Sequence, residues 1–290
     1  MAYVIKVAII TRTKDRPVFL KRAIKSVHSQ TYTDFTHVII NDGGDSQEVD
    51  KLIEQQSSLD AAKIKIIHNK KSTGMEAASN KAIKSVDSTY VAVHDDDDTW
   101  HAEFLERTVA HLERTGEAGV VARTNRIDEK LTDGKAKHQK TTRWLPDLKA
   151  VSLYRQLIEN QMTPITFLYT RKAYESVGGY DETLPVTGDW EFGIRFLLKY
   201  DVEFIDPGFA LANYHHRKFK KGKQGNTSYG GNDLHRYYVN KIQNKYLREE
   251  LTEGKLGIGY IMSQNKYSKL GLINLIKKII PSSLLRRFYK

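Results

Sequence analysis

The chain reads as an α/β protein: a mainly parallel sheet flanked by helices, with a basic, mostly helical C-terminal extension. Three observations carry this reading. Short apolar, β-branched runs alternate with amphipathic stretches over the first 125 residues, the rhythm of strands joined by right-handed crossovers. Those runs end in polar residues, and in parallel sheets ligands bind beyond the carboxyl ends of the strands. The charge then breaks: Tyr214 to Lys290 carries 17 Lys+Arg against 4 Asp+Glu, in a chain whose totals are 46 and 35. A slightly acidic body thus bears a strongly basic tail, which points to an anionic partner.

Val4 to Thr11 is expected to be a strand buried on both faces. Pro17 suits the first turn of a helix, where its missing N–H costs nothing, and Leu20, Ile24 and Val27 follow at helical spacing. His37 to Asn41 is a second strand, ended by Asp42-Gly43-Gly44; Lys63 to His68 is a third, with a helix starting near Gly74. Tyr90 to His94 is a fourth, ended by Asp95-Asp96-Asp97-Asp98. The polar stretch 126–150 is expected to be an irregular surface connection, followed by a helix over 151–160, a strand over 165–170 and a helix over 188–200. After Tyr214 come a Gly- and Lys-rich loop, polar helical residues, and a segment Lys266 to Lys290 that mixes Leu and Ile with basic pairs.

Composition excludes several classes. At 290 residues, 40% hydrophobic and 28% charged, the chain suits one large domain, or a domain with an extension, and not a disordered or fibrous protein. It has no cysteine, so a disulfide scaffold, a thiolate metal site and a Cys nucleophile are excluded. No apolar run is long enough to span a bilayer and the first residues do not resemble a secretory signal, so the expected location is the cytoplasm.

Four consecutive aspartates exceed what capping the next helix requires. Asp95 and Asp97 suit a hard divalent cation, Mg²⁺ or Mn²⁺, shared with a diphosphate; the plain alternative is a solvated acidic loop. Asp42 is either turn chemistry or a nucleotide contact. Asp189, in Thr187-Gly188-Asp189-Trp190-Glu191, either steadies a helix N-terminus or serves as a general base. His215 and His216 are adjacent, so at most one reaches a metal; a surface pair is the alternative.

Taken in order, these stretches resemble the family 2 glycosyltransferases over residues 4–217. Val7 to Thr13 with Arg16-Pro17, then Ala23 to Val27 and Gln30-Thr31-Tyr32, is similar to the family's opening strand and helix. Ile39 to Gly44 resembles the strand end whose Asp meets the nucleotide base, and Gly74, Ala78 and Asn80 fit the next helix. Val93 to Trp100 resembles the Asp-x-Asp metal motif with its trailing Trp. Val177 to Glu182, then Gly188 to Glu191 and Arg195, resembles the acceptor segment with its base. The chain departs from the pattern at Gly188, where the family often has Glu, and at Ser79, where an Arg often stands.

The resemblance implies a GT-A fold, Rossmann-like and mixed, over 1–217, with 218–290 as the extension. It implies inverting transfer from a nucleoside-diphosphate sugar, UDP favoured, to a glycan or lipid-linked glycan, as in bacterial surface polysaccharide assembly. Asp189 would be the catalytic base. Thr11, Thr13, Arg16, Asp42, Asp95 and Asp96 would meet the nucleotide; Asp95, Asp97 and His216 would hold Mn²⁺ or Mg²⁺; Trp100, Trp190 and Glu191 would meet the acceptor. Lysines of the 218–223 loop would close over the phosphates. The 266–290 segment suits an anionic membrane surface, on the inner face of the cell membrane, or else packs on the domain or makes a dimer.

Three rival readings fit the sequence less well. A sugar nucleotidyltransferase wants a Gly-rich phosphate loop, and Thr11 to Arg16 has no glycine. A glycoside hydrolase needs a spaced acid/base pair instead of clustered aspartates. A nucleic-acid binder would use the basic tail and its interleaved Tyr237, Tyr238, Tyr246 and Tyr260, but four aspartates repel a phosphate backbone, so no nucleic acid is expected.

Overall fold

The computed structural model describes residues 5–132, 135–217, 232–255, 257–259 and 262. The central strand is β1 (Ile5–Thr13), and its alternate residues serve two different layers. Ala8 and Ile10 face one hydrophobic cluster, Val7 and Ile9 another, and all four are fully buried. This is why the strand is a continuous apolar run: helices cover both faces.

The chain continues through α1 (Pro17–His28), β2 (Phe35–Asp42), α2 (Ser46–Glu54), α3 (Ser58–Ala61), β3 (Ile64–Asn69), α4 (Met75–Lys84) and β4 (Ser88–Val93). Leu20 and Ile24 of α1 pack on Ile39 and Val49. On the opposite face α4 buries Ala78, Ala82 and Ile83 against Ala8, Ile10, Val38 and Ile40. Strand β1 pairs in parallel with both β2 and β4, and β2 with β3, so the carboxyl ends of four strands share one edge of the sheet.

Next come β5 (Thr99–Trp100), α5 (Phe104–Thr115), β6 (Gly119–Ala122), β7 (Thr124–Thr132), β8 (Lys135–Arg143), α6 (Leu153–Gln156) and β9 (Phe167–Thr170). Then follow α7 (Arg171–Val177), α8 (Gly188–Leu197), β10 (Glu203–Ile205), β11 (Ala212–His216) and a last helix, α9 (Asn232–Thr252). The main sheet has the order β10-β6-β9-β4-β1-β2-β3, with β9 antiparallel to both neighbours. A second sheet has the order β5-β11-β7-β8.

The second sheet corrects one expectation. Residues 126–132 and 135–143 are not irregular: β7 and β8 make a hairpin, paired from Asn125↔Arg143 to Thr132↔Lys135, and only 144–150 forms the expected irregular connection. Its strands are mostly polar, with Ile127 and the buried Leu131 the apolar residues of β7, so they give little hydrophobic alternation; backbone pairing, with β11 alongside β7, holds them. The helix expected over 151–160 is the single turn Leu153–Gln156. At the other end, α9 puts Ile242 into a cluster with Trp190, Ile194, Leu157 and Leu184, so this part of the basic extension packs on the body. The lysine loop 218–223 and the segment 266–290 lie outside the described residues.

Candidate active site

At the shared edge of the parallel strands lies a cleft of about 400 Å³. Strand β1 feeds it Arg12, Thr13, Lys14 and Arg16; β2 ends at Asp42; α4 begins there with Met75 and Glu76; β4 runs into Asp95–Asp98. Thr163 to Ile165, which precede β9, the α8 residue Asp189, and Tyr214 and His235 close the wall. Seven carboxyl groups therefore face three permanent cations.

The acidic loop is held by arginines. Arg12 pairs with Asp95 and, at 3.2 Å, with Glu76. Arg16 reaches Asp96 at 3.1 Å and Asp97 at 2.6 Å, and the Thr13 hydroxyl donates to Asp96 at 2.8 Å. Behind them the fully buried Arg217 pairs with both Asp97 and Glu129. Glu129 also takes Arg22 at 2.6 Å and His215 at 2.7 Å. Burial pulls the Asp97 carboxyl upward, but the Arg16 and Arg217 guanidiniums outweigh it and hold it below the usual range. Asp96 and Asp98 go the other way: burial, reinforced by their carboxylate neighbours, pushes both up. Adjacent carboxyls in one loop thus take opposite protonation tendencies.

Asp42 is at the cleft, but its oxygens are occupied. They accept from Asn69 at 2.8 Å, Ser72 at 2.7 Å, the Thr73 amide and hydroxyl at 2.8 and 2.9 Å, and the Gly74 amide at 3.0 Å. Those bonds overcome burial and keep the carboxyl low. Asp42 therefore builds the 69–74 loop. Gly43 is needed beside it: φ is +78°, and a Cβ there would sit 2.5 Å from the Ser72 amide nitrogen.

Asp189 lies in the first turn of α8, after Thr187 in the left-handed region at φ 66°. Asn160 donates to it at 2.8 Å. Burial raises its pKa against the opposing Trp190 amide and Arg12 charge. Glu76 is 3% exposed; burial, with the Asp189 and Asp95 charges adding to it, lifts its pKa to about 7 although Arg12 opposes.

The cleft thus brings together Thr13, Arg16, Asp42, Asp95, Asp96, Asp97 and Asp189. Six candidate residues, His215 among them, are not in the lining of this cleft. Thr11 is fully buried, its hydroxyl 2.8 Å from His37. His216 meets Arg126 at 3.1 Å and packs edge-on against the Tyr214 ring at 5.3 Å, where β11 pairs with β7. His215 likewise sits between Thr99 and Glu129. Trp100 stacks on Phe104 at 4.2 Å and donates to the Ile165 carbonyl at 2.8 Å. Trp190 donates to the Gln156 carbonyl inside the α8–α9 cluster, and Glu191 is buried against Arg195 at 2.7 Å. Both Trp rings are core. Trp190→Ala is expected to lower stability by about 3–5 kcal/mol, read by urea unfolding.

Sequence reasoning missed Arg12, Glu76, Arg217, Glu129, Thr163 and His235. Glu76 had a signal: with Asn80 and Ile83 it follows the i, i+4, i+7 stripe that α4 buries, and a carboxylate on a buried stripe asks for a reason. Thr163 keeps a buried hydroxyl without a partner, as does the Arg16 Nε.

Solved structures share this fold. *S. aureus* TarS in complex with UDP-GlcNAc superposes with a TM-score of 0.59 at 16% identity, over 74% of this chain and 60% of that one. Mannosyltransferase PcManGT from Pyrobaculum calidifontis, in complex with GDP-Man and Mn²⁺, gives 0.61 at 14% identity over 92% and 70%. These likenesses show the GT-A fold. In sequence, the uncharacterized glycosyltransferase YwdF of Bacillus subtilis is 22% identical over 69% of this chain and 71% of its own length. The putative colanic acid biosynthesis glycosyl transferase WcaA of Escherichia coli is 32% identical over 37% and 38%. The uncharacterized glycosyltransferase MJ1057 of Methanocaldococcus jannaschii is 29% identical over 37% of each, so the match spans well under half of these last two relatives. The family model Glycosyl transferase family 2 matches residues 8–178, more than half of the chain, and the chain belongs to that family.

Proposed function

We propose that the protein is an inverting glycosyltransferase that moves a sugar from a nucleoside diphosphate, UDP favoured, to a hydroxyl of a glycan or lipid-linked glycan. One observation carries this reading: Asp189 and the Asp95–Asp98 loop, far apart in sequence, line one cleft at the ends of the parallel strands. The sugar-nucleotide complexes of TarS and PcManGT support the donor class, and the WcaA name supports surface polysaccharide assembly.

The donor set fits a hard divalent cation. Asp95 and Asp97 offer carboxylate oxygens on the cleft wall, the donor type that Mg²⁺ and Mn²⁺ take. Among the described residues no group of three or more potential ligands comes together, so the protein would supply two carboxylates and the diphosphate the remainder, as Mg²⁺ and Mn²⁺ allow. When bound, the ion neutralises charge on the departing diphosphate. Arg12, Lys14 and Arg16 stand on the same wall and would orient the phosphates. Asp189 would take the acceptor's proton as the acceptor oxygen bonds to the anomeric carbon, and the carbon–phosphate oxygen bond breaks with its electron pair leaving on the nucleoside diphosphate.

No helix among the described residues is long and apolar enough to cross a membrane. The basic composition of the extension supports a place on an anionic lipid surface. The enzymatic reading is tested by nucleotide release from UDP-, GDP- and dTDP-sugars with Mn²⁺ or EDTA. Release from one donor class that EDTA abolishes is expected; release from none would overturn it.

A further inference from the structure

The start of α8 has a glycine where its backbone does not need one. Gly188 lies outside the left-handed region, so any residue can adopt its conformation. What forbids a side chain is Glu76: a Cβ on Gly188 would lie 2.5 Å from the Glu76 Cδ and 2.6 Å from its Cγ. The carboxylate of α4 therefore fills the space that a residue preceding Asp189 would otherwise use. It is buried, lines the cleft, and is held from the other side by Arg12, which also grips Asp95. Glu76 also accepts a hydrogen bond from the Gly188 backbone amide, so one carboxylate ties the start of α8 to Arg12 and Asp95 on the cleft wall.

We propose that Glu76 is a second carboxylate of the reaction centre, placed through the gap at Gly188 to accept a hydrogen bond from the attacking nucleophile while Asp189 takes its proton. With water as nucleophile, one O–H gives its proton to Asp189 and the other donates to Glu76; with a sugar acceptor, Glu76 receives a neighbouring hydroxyl. The inference rests on Asp189 being the base, and it makes Glu76 and Gly188 a matched pair: one carboxylate can come from either position, but not a side chain at both.

The test is hydrolysis of the donor found by nucleotide release, which uses water and needs no acceptor. Glu76→Ala and Glu76→Met, the second similar in size but with no acceptor oxygen, are each expected to lower hydrolytic kcat at least tenfold with the nucleoside diphosphate Kd within threefold of the original, and Glu76→Gln, whose amide oxygen still accepts, should keep more activity than Glu76→Met. Gly188→Ala, which drives a Cβ into the carboxylate, should lower kcat as well. The double variant Glu76→Ala/Gly188→Glu, which returns a carboxylate from the α8 side, should recover most of the loss. A folded Glu76→Met enzyme with unchanged kcat, or a double variant no better than Glu76→Ala, would overturn the proposal, and the Met variant carries the test if the Ala variant does not fold. Asp189→Asn in the same assay separates the two claims: full hydrolysis there defeats the base, while its loss beside an unaffected Glu76→Met defeats Glu76 alone.

Discussion

Asp189→Asn is expected to lower sugar transfer by about 10²–10⁴-fold while leaving nucleotide binding unchanged. The substitution is nearly isosteric, and an amide oxygen still accepts from Asn160, so the start of α8 keeps its shape. What disappears is the proton acceptor. The pH profile adds a second readout. Burial raises the Asp189 pKa above its ordinary 3.8, and the base works only when ionised, so wild-type turnover should fall as pH drops through that raised value. The Asn variant should lose this acid limb. Equal losses of turnover and nucleotide affinity would contradict the assignment.

Asp97→Ala is expected to act twice, because Asp97 faces the cleft on one side and a buried network on the other. It holds Arg16 and the fully buried Arg217. Removing one member of such a network typically costs about 3–5 kcal/mol, since the remaining charge is left uncompensated. Urea unfolding should show that loss, and nucleotide binding should no longer respond to Mn²⁺. The stability effect has a defined pH sign. The folded-state pKa of Asp97 is depressed, so its contribution is present above the ordinary aspartate value of 3.8 and fades as pH falls below it. The gap between wild type and variant should therefore narrow in acid. Full stability with intact Mn²⁺-dependent binding in Asp97→Ala would contradict both roles.

The parallel half of the fold was legible because strands covered on both faces must be apolar throughout, and Val7 to Ile10 is such a run. The hairpin β7–β8 was not, since partnership with β11 and not hydrophobic alternation holds it. The acidic loop and Asp189 were legible as polar residues at strand and helix ends. Their partners were not: Arg217 and Glu129 meet Asp97 only because β11 and β7 lie side by side behind the loop. Trp100 and Trp190 misled for a simpler reason. An aromatic ring beside a motif looks the same in sequence whether it faces a ligand or, as here, stacks on Phe104 or packs under α9. Gly188 shows the converse, an absence whose meaning appears only when Glu76 is found in its place.

The most direct measurement is thermal unfolding of the protein with UDP, GDP, dTDP and CMP, each with Mn²⁺ and with EDTA. A ligand at about 100 times its dissociation constant adds roughly 2.7 kcal/mol of stability, which is readily seen. The account predicts stabilisation by one nucleoside diphosphate, UDP first, that vanishes in EDTA. The same unfolding temperature with every nucleotide, with and without metal, would contradict a donor site in this cleft.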